Sequence, residues 1–155
     1  MAHHGFERAF VFTAHGGNVD ALRDMAPRLA RRLAPFALRI ETDLRIGAMQ
    51  SEVVARESLS ALAAGPHAGE YETSIVAWLR PGSVRVTRPP GRLTEPGEAQ
   101  TLFYPSLRPH AESGVLGDPS EAEASRGPRY LDAWVDLLAR AYADAFDAGG
   151  SKNRQ

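Results

Sequence analysis

The side chains able to do chemistry gather in two short stretches. The first is "FVFTAHGGNVDAL", Phe10 to Leu22, where His15 and the pair Gly16-Gly17 stand between an apolar run and a helical pattern. The second is "HAGEYETS", His67 to Ser74, where a histidine precedes Glu70 and Glu72. A neutral imidazole can ligate a metal or carry a proton, and a nearby carboxylate can ligate or orient. His15 falls at the carboxyl end of its strand, where ligands gather in open α/β sheets. The glycines after it let the backbone approach a metal or an anion at a helix N-terminus. Each stretch also has an ordinary structural reading. A strand-to-helix turn can carry a histidine without a ligand, and acids favour helix N-termini for dipole reasons alone. His3 and His4 beside the terminus, and His110 in an irregular stretch, read as solvated surface residues.

Several chemistries are excluded. The chain has no cysteine, so disulfides and thiolates are absent and any metal must take N and O ligands. There is no GxxxxGK[ST] phosphate loop. Ser74 sits two positions after Glu72 on a helix, which is not a nucleophile elbow. A net charge of -1 provides no basic field for nucleic acid, and the arginine-rich face of the first helix lacks interleaved aromatics for base stacking. No apolar run is long enough for a bilayer, and the N-terminus lacks the layout of a signal peptide. Expectations are therefore a cytoplasmic protein with no nucleic-acid and no membrane partner.

The elements that must position these residues read as follows. At 155 residues with 43% hydrophobic content, one domain over residues 1–148 with a frayed tail at 149–155 is expected. "AFVFTA", Ala9 to Ala14, reads as a strand covered on both faces, as in a parallel sheet. Asn18 is a candidate N-cap for a helix carrying Val19, Leu22, Ala26, Leu29 and Leu33 on one stripe, with Pro27 predicting a kink or break. Phe36 to Ile46 alternates and reads as a half-exposed strand. A helix is expected over "SEVVARESLSALAAG", ending near Gly65, and another after "HAGE" that Pro81-Gly82 stops. Residues 87–117 form a long irregular stretch expected near the pocket or a subunit contact. Asp118, Pro119 and Glu121 form a capping-box-like start, and Gly127-Pro128 breaks and restarts the last helix. Strand and helix alternate, which argues for a layered α/β fold.

Three stretches gain weight in combination. "GFERAFVFTAHGGN", "HAGEYETSIVAWLRPGSV" and "GVLGDPSEAEASRG", in that order, resemble the creatininase (creatinine amidohydrolase) family, with its GHGGN-like turn, HAGxxETS-like segment and late GxxGDPxxA stretch. The resemblance runs from Gly5 to about Ala145. It implies a three-layer α/β/α fold with a mostly parallel sheet, commonly assembled as a hexamer. It also implies hydrolysis of non-peptide or unusual amide C–N bonds in a small-molecule substrate, by water activated between two divalent metals, zinc or manganese. Carried over by motif, His15 and Glu72 would be metal ligands and His67 the proton shuttle to the leaving nitrogen. Gly16, Gly17 and Asn18 would shape the substrate pocket, and Glu70 falls outside the core of the pattern.

Family members carry an E-x-H-G-like motif and an aspartate upstream of this strand, which supply most remaining metal ligands. "MAHHGFERAF" resembles only the run leading into the strand, and His3, His4, Glu7, Asp20 and Asp24 do not reproduce that motif. Thr13-Ala14 also stands where the family has Asn-Gly. The resemblance thus implies an N-terminally truncated version of the fold, which would hold metal weakly unless another chain complements it. The alternative is a non-catalytic creatininase-like remnant that oligomerises or binds a relative.

Overall fold

A computed structural model describes residues 2–95, 98 and 105–147. The expected frayed tail lies outside the described residues. The chain divides into two compact units, one drawn from Met1–Arg45 and Asp136–Gln155, the other Ile46–Val135.

In the first unit, β1 (Arg8–Val11) and β2 (Ala37–Ile40) pair in parallel, with Arg8 opposite Ala37 and Val11 opposite Ile40. The helix α1 (Val19–Leu33) makes the crossover between them. Parallel pairing matches the apolar reading of the first strand, but β1 is half-covered rather than buried on both faces. α1 runs unbroken through Pro27. Pro27 and Arg23 are both exposed, so the carbonyl that loses its donor to the proline is next to water.

The alternating run after Phe36 stops being a strand at Ile40. The Glu41 carboxylate accepts the Asp43 N–H (2.8 Å), and the Asp43 carboxylate accepts the Arg45 N–H (3.0 Å). Arg45 has φ 57° and pairs with both acids. Local bonds of this kind give the backbone an alternative to a sheet ladder. Side chains of Phe10, Tyr142 and Phe146 meet edge to face, with centroids 5.6 Å and 5.1 Å apart.

In the second unit, α2 (Ile46–Glu57) buries Met49 and Val53. The expected single helix through Gly65 is interrupted, because Ser58 takes φ 54° before the one-turn helix α3 (Ala61–Ala64). α4 (Glu70–Leu79) follows and ends before Pro81-Gly82, as expected, with Gly82 at φ 91°. Asp118 caps a 3-10 turn at Pro119–Glu121, accepting the Ser120 N–H at 2.9 Å. α5 (Gly127–Asp147) starts at the predicted restart; it begins in the second unit and ends in the first. Described parts of the irregular stretch are tied back to His67: Leu116 bridges His67 in antiparallel fashion and Arg92 in parallel fashion. Leu116 is fully buried.

This is a mixed fold of helices with a small parallel sheet. Among the described residues no helix is long and apolar enough to cross a membrane.

Candidate functional site

In the first unit β1 stops at Val11 rather than running to Ala14 as expected, so His15 lies in the exposed segment after the strand, before a 3-10 turn at Gly16–Asn18 that leads into α1. The turn is held by Thr13. Its hydroxyl accepts the His15 N–H (3.1 Å) and the Asn18 side-chain amide (3.0 Å), and donates to the His15 carbonyl (3.2 Å). Asn18 therefore does not cap α1 through its side chain, as its position suggested, but fastens the turn from inside. A side chain at Gly17 would come within 2.8 Å of His15 Nε2, so glycine keeps the imidazole's space open. The structure thus groups His15, Gly16, Gly17 and Asn18 in one turn.

In the second unit His67 and Glu72 belong to one loop-to-helix junction. His67 exchanges both backbone hydrogen bonds with Leu116. Ala68 takes φ 54° and aims its N–H at the Glu72 carboxylate. Close backbone contact explains the glycines of both motifs here. A Cβ on Gly69 would collide with the Ala64 carbonyl oxygen, and one on Gly65 with that of Leu116. A Cβ on Gly117, at φ 136°, would come within 2.9 Å of the Cα atoms of Gly65 and Gly69. Gly65 and Gly69 of "GPHAGE" and Gly117 of "GVLGDP" therefore pack backbone on backbone, which fixes where His67 and Glu72 stand.

Glu70 has a different part from its neighbour Glu72. It is fully buried, accepting from the Ser74 hydroxyl at 2.7 Å and from the Tyr130 phenol. Arg126, also buried, lies 3.1 Å from the same carboxylate. Ser74 in turn accepts the Glu123 N–H at 3.0 Å. A charge is retained in an interior only when paired and hydrogen-bonded, and this cluster meets both conditions. Its effect is to fasten the first turn of α4 to the start of α5. Burial first, then the hydrogen bond and charge of Glu70, pushes the Tyr130 phenol well above its usual range, against a smaller lowering by Arg126. Burial first, then the Glu72 charge, does the same to Tyr71.

Glu72 lines an open cleft of about 690 Å³, a size typical of small-molecule sites. Thr73 and Val76 extend the same wall along α4, while Arg85, Arg88 and Val115 come from the segments that follow. Described residues of the irregular stretch, Thr87, Arg88, Pro89, Ser113 and Val115, line this cleft. His15, Gly16, Gly17 and Asn18 belong to the first unit; His67 and Glu72 belong to the second. Among the described residues no group of three or more histidine, aspartate or glutamate side chains converges to hold a metal. The residues present do not by themselves fit the metal centre that the family resemblance implies.

Five residues engaged around these motifs stand out in the structure more than in the sequence: Thr13, Glu70, Ser74, Arg85 and Arg88. Thr13 appears there only as a departure from Asn-Gly, yet its hydroxyl organises the turn. Glu70 and Ser74, four apart on a helix, carried the one signal of a buried pair. Arg85 and Arg88 lie in a stretch without periodicity and gave none.

Comparison with known proteins agrees with the motifs. Residues 1–142 match the family model "Creatininase: Creatinine amidohydrolase". Among curated proteins, the mycofactocin precursor peptide peptidases of Mycobacterium tuberculosis strains CDC 1551 / Oshkosh and ATCC 25618 / H37Rv are each 39% identical to this chain over 83 residues. Those residues are 50% of this chain and 32% of each relative, so the match spans about a third of their length. No solved structure matches the chain significantly. With the family model covering nearly all of its length, the chain belongs to the creatininase family.

Proposed function

We propose that this chain takes part in metal-dependent hydrolysis of an amide C–N bond, within a three-layer α/β/α assembly of the family type. The observation that carries the reading is the junction at His67–Glu72: a histidine and a carboxylate held by a backbone lock of three glycines, with Ala68 and Glu72 of the junction lining a cleft. His67 protonates the leaving nitrogen. Glu72 and His15 serve as metal ligands, and the Gly16–Asn18 turn borders the substrate. Family members use a divalent metal, zinc or manganese.

Because the described residues hold no three-ligand group, the remaining ligands come from a second chain, in the first instance another copy. Exposed Phe6, Phe12, Met25 and Leu33 in the first unit favour such association. The peptidase relatives make a peptide-like amide a fitting first substrate class to test.

Turnover of short acylated peptides by the purified chain, with zinc or manganese added, tests this reading. The expected result is metal-dependent turnover in the assembled form that His67→Ala lowers by roughly 100-fold or more, with a comparable loss in Glu72→Gln. Turnover without metal, or indifferent to both substitutions, would overturn it. The second reading, a non-catalytic subunit, is favoured by the same lack of a three-ligand group among the described residues. Absence of turnover with either metal at every protein concentration would establish it.

A further inference from the structure

Beside Glu72, the cleft of the second unit has two arginines in its lining, Arg85 and Arg88. Neither forms an ion pair among the described residues, and the Arg88 Nε is buried without a hydrogen-bond partner. Four other arginines of this unit are paired, Arg56 with Glu52, Arg92 with Glu98, Arg126 with Glu70 and Glu123, and Arg129 with Glu57, while Arg80 and Arg108 are exposed outside the cleft lining. The residues neighbouring the cleft in sequence that lie outside the described set, 96–97 and 99–104, read "PG" and "AQTLFY" and hold no acid. The rest of the wall is largely apolar, with Val76, Val84, Val115 and Pro89 contributing. A guanidinium donor withdrawn from water with no acceptor is costly, and such a group calls for an explanation.

The geometry points to a subsite for a carboxylate of the substrate, held by Arg85 and Arg88 in the cleft that Glu72 lines. Guanidinium matches a carboxylate with paired, charge-assisted hydrogen bonds. A monoanion with an apolar body suits this cleft better than a phosphate. The lining holds two arginines and one acid, Glu72, so one added negative charge balances it and a second does not. The substrate class is therefore an amide that also bears a carboxylate, either the free C-terminus of a short peptide or an acidic side chain near the bond to be broken. That the anion belongs to a substrate rests on the hydrolase reading; its binding does not need turnover.

Arginine Nε–H resonances in 15N NMR of the intact, metal-free chain read this directly. Three probes separate the sources: acetyl-trialanine with a free carboxylate, its C-terminal amide, and an acetylated tripeptide amide with a central glutamate. The free acid is expected to shift the Arg88 Nε–H and to bind about tenfold more tightly than the amide, the advantage of one hydrogen bond to a charged group. Arg88→Gln and Arg85→Gln should each remove that advantage, while Arg92→Gln, outside the cleft lining, keeps it. Backbone spectra of the two cleft variants check folding, and either suffices. Tight binding of the free acid alone assigns a C-terminal carboxylate, and equal binding of the glutamate amide assigns any carboxylate. Acid and amide binding alike, an unmoved Arg88 resonance, or inorganic phosphate binding as tightly as the acid would overturn the assignment. Loss of turnover with the carboxylate preference intact would sink the hydrolase reading and leave this subsite standing.

Discussion

The two units carry the two family motifs on very different footings. In the second, Met49, Leu116, Glu70 and Tyr130 are fully buried, and three glycines lock the His67–Glu72 junction through backbone contact. In the first, α1 buries no residue, and Phe12 is 51% and Met25 44% exposed. Its His15 turn is secured by one threonine hydroxyl and one asparagine amide. The lesson is that the same kind of motif, a histidine ahead of a helix, can be held by long-range packing or by its own local hydrogen bonds. Only the packed version is fixed by its own unit. The turn in the first unit gains most from whatever covers its apolar surface.

Glu70→Ala should give one of the two largest effects. It removes the buried partner of Arg126, which keeps only the exposed Glu123 carboxylate and the Glu121 carbonyl, and leaves Tyr130 and Ser74 without their acceptor, a loss of about 3 kcal/mol in urea unfolding. Next come the glycines. Gly65→Ala puts a Cβ against the Leu116 carbonyl at φ 63° and should cost about 3 kcal/mol or more. In contrast Gly16→Ala, whose nearest contact is Leu44 Cδ1 at 3.8 Å, should stay within about 0.5 kcal/mol. Equal losses at these two glycines would erase the comparison.

Tyr130→Phe should cost about 1 kcal/mol and carries a pH signature. Tyr130 and Tyr71 hold their protons more firmly folded than unfolded. Their contribution is therefore complete below the unfolded value of about 10 and is lost as pH rises above it. Alkaline unfolding should be shallower in Tyr130→Phe. The smallest effect belongs to Thr13→Val, about 0.5 kcal/mol, read as faster hydrogen exchange at the His15 amide while the second unit's amides stay unchanged.

Legibility in the sequence followed the range of the interactions. The start of α1 after Asn18, the stop at Pro81-Gly82, the Asp118 turn and the restart at Gly127 were readable, because each is set by residues within a turn of it. The strand after Phe36 was overread. Its alternation continues to Ile46, but Glu41, Asp43 and Arg45 bond to one another and end the ladder. Glu70 looked peripheral because its partners Arg126 and Tyr130 are far along the chain, and no local pattern announces such a pair. The motif glycines were visible, yet their reason, contact between loops some 50 residues apart, was not. The arginines of the cleft became legible only once the cleft itself was seen.

The most direct test of the account is zinc titration by calorimetry at protein concentrations below and above self-association. Wild type would be compared with His15→Ala and Glu72→Gln. With the proposed ligands His15 and Glu72 in different units and no three-ligand group among the described residues, tight binding is expected only in the associated chain and should be lost in both variants. Tight binding by the isolated monomer would contradict the account. So would weak binding at every concentration that both variants share.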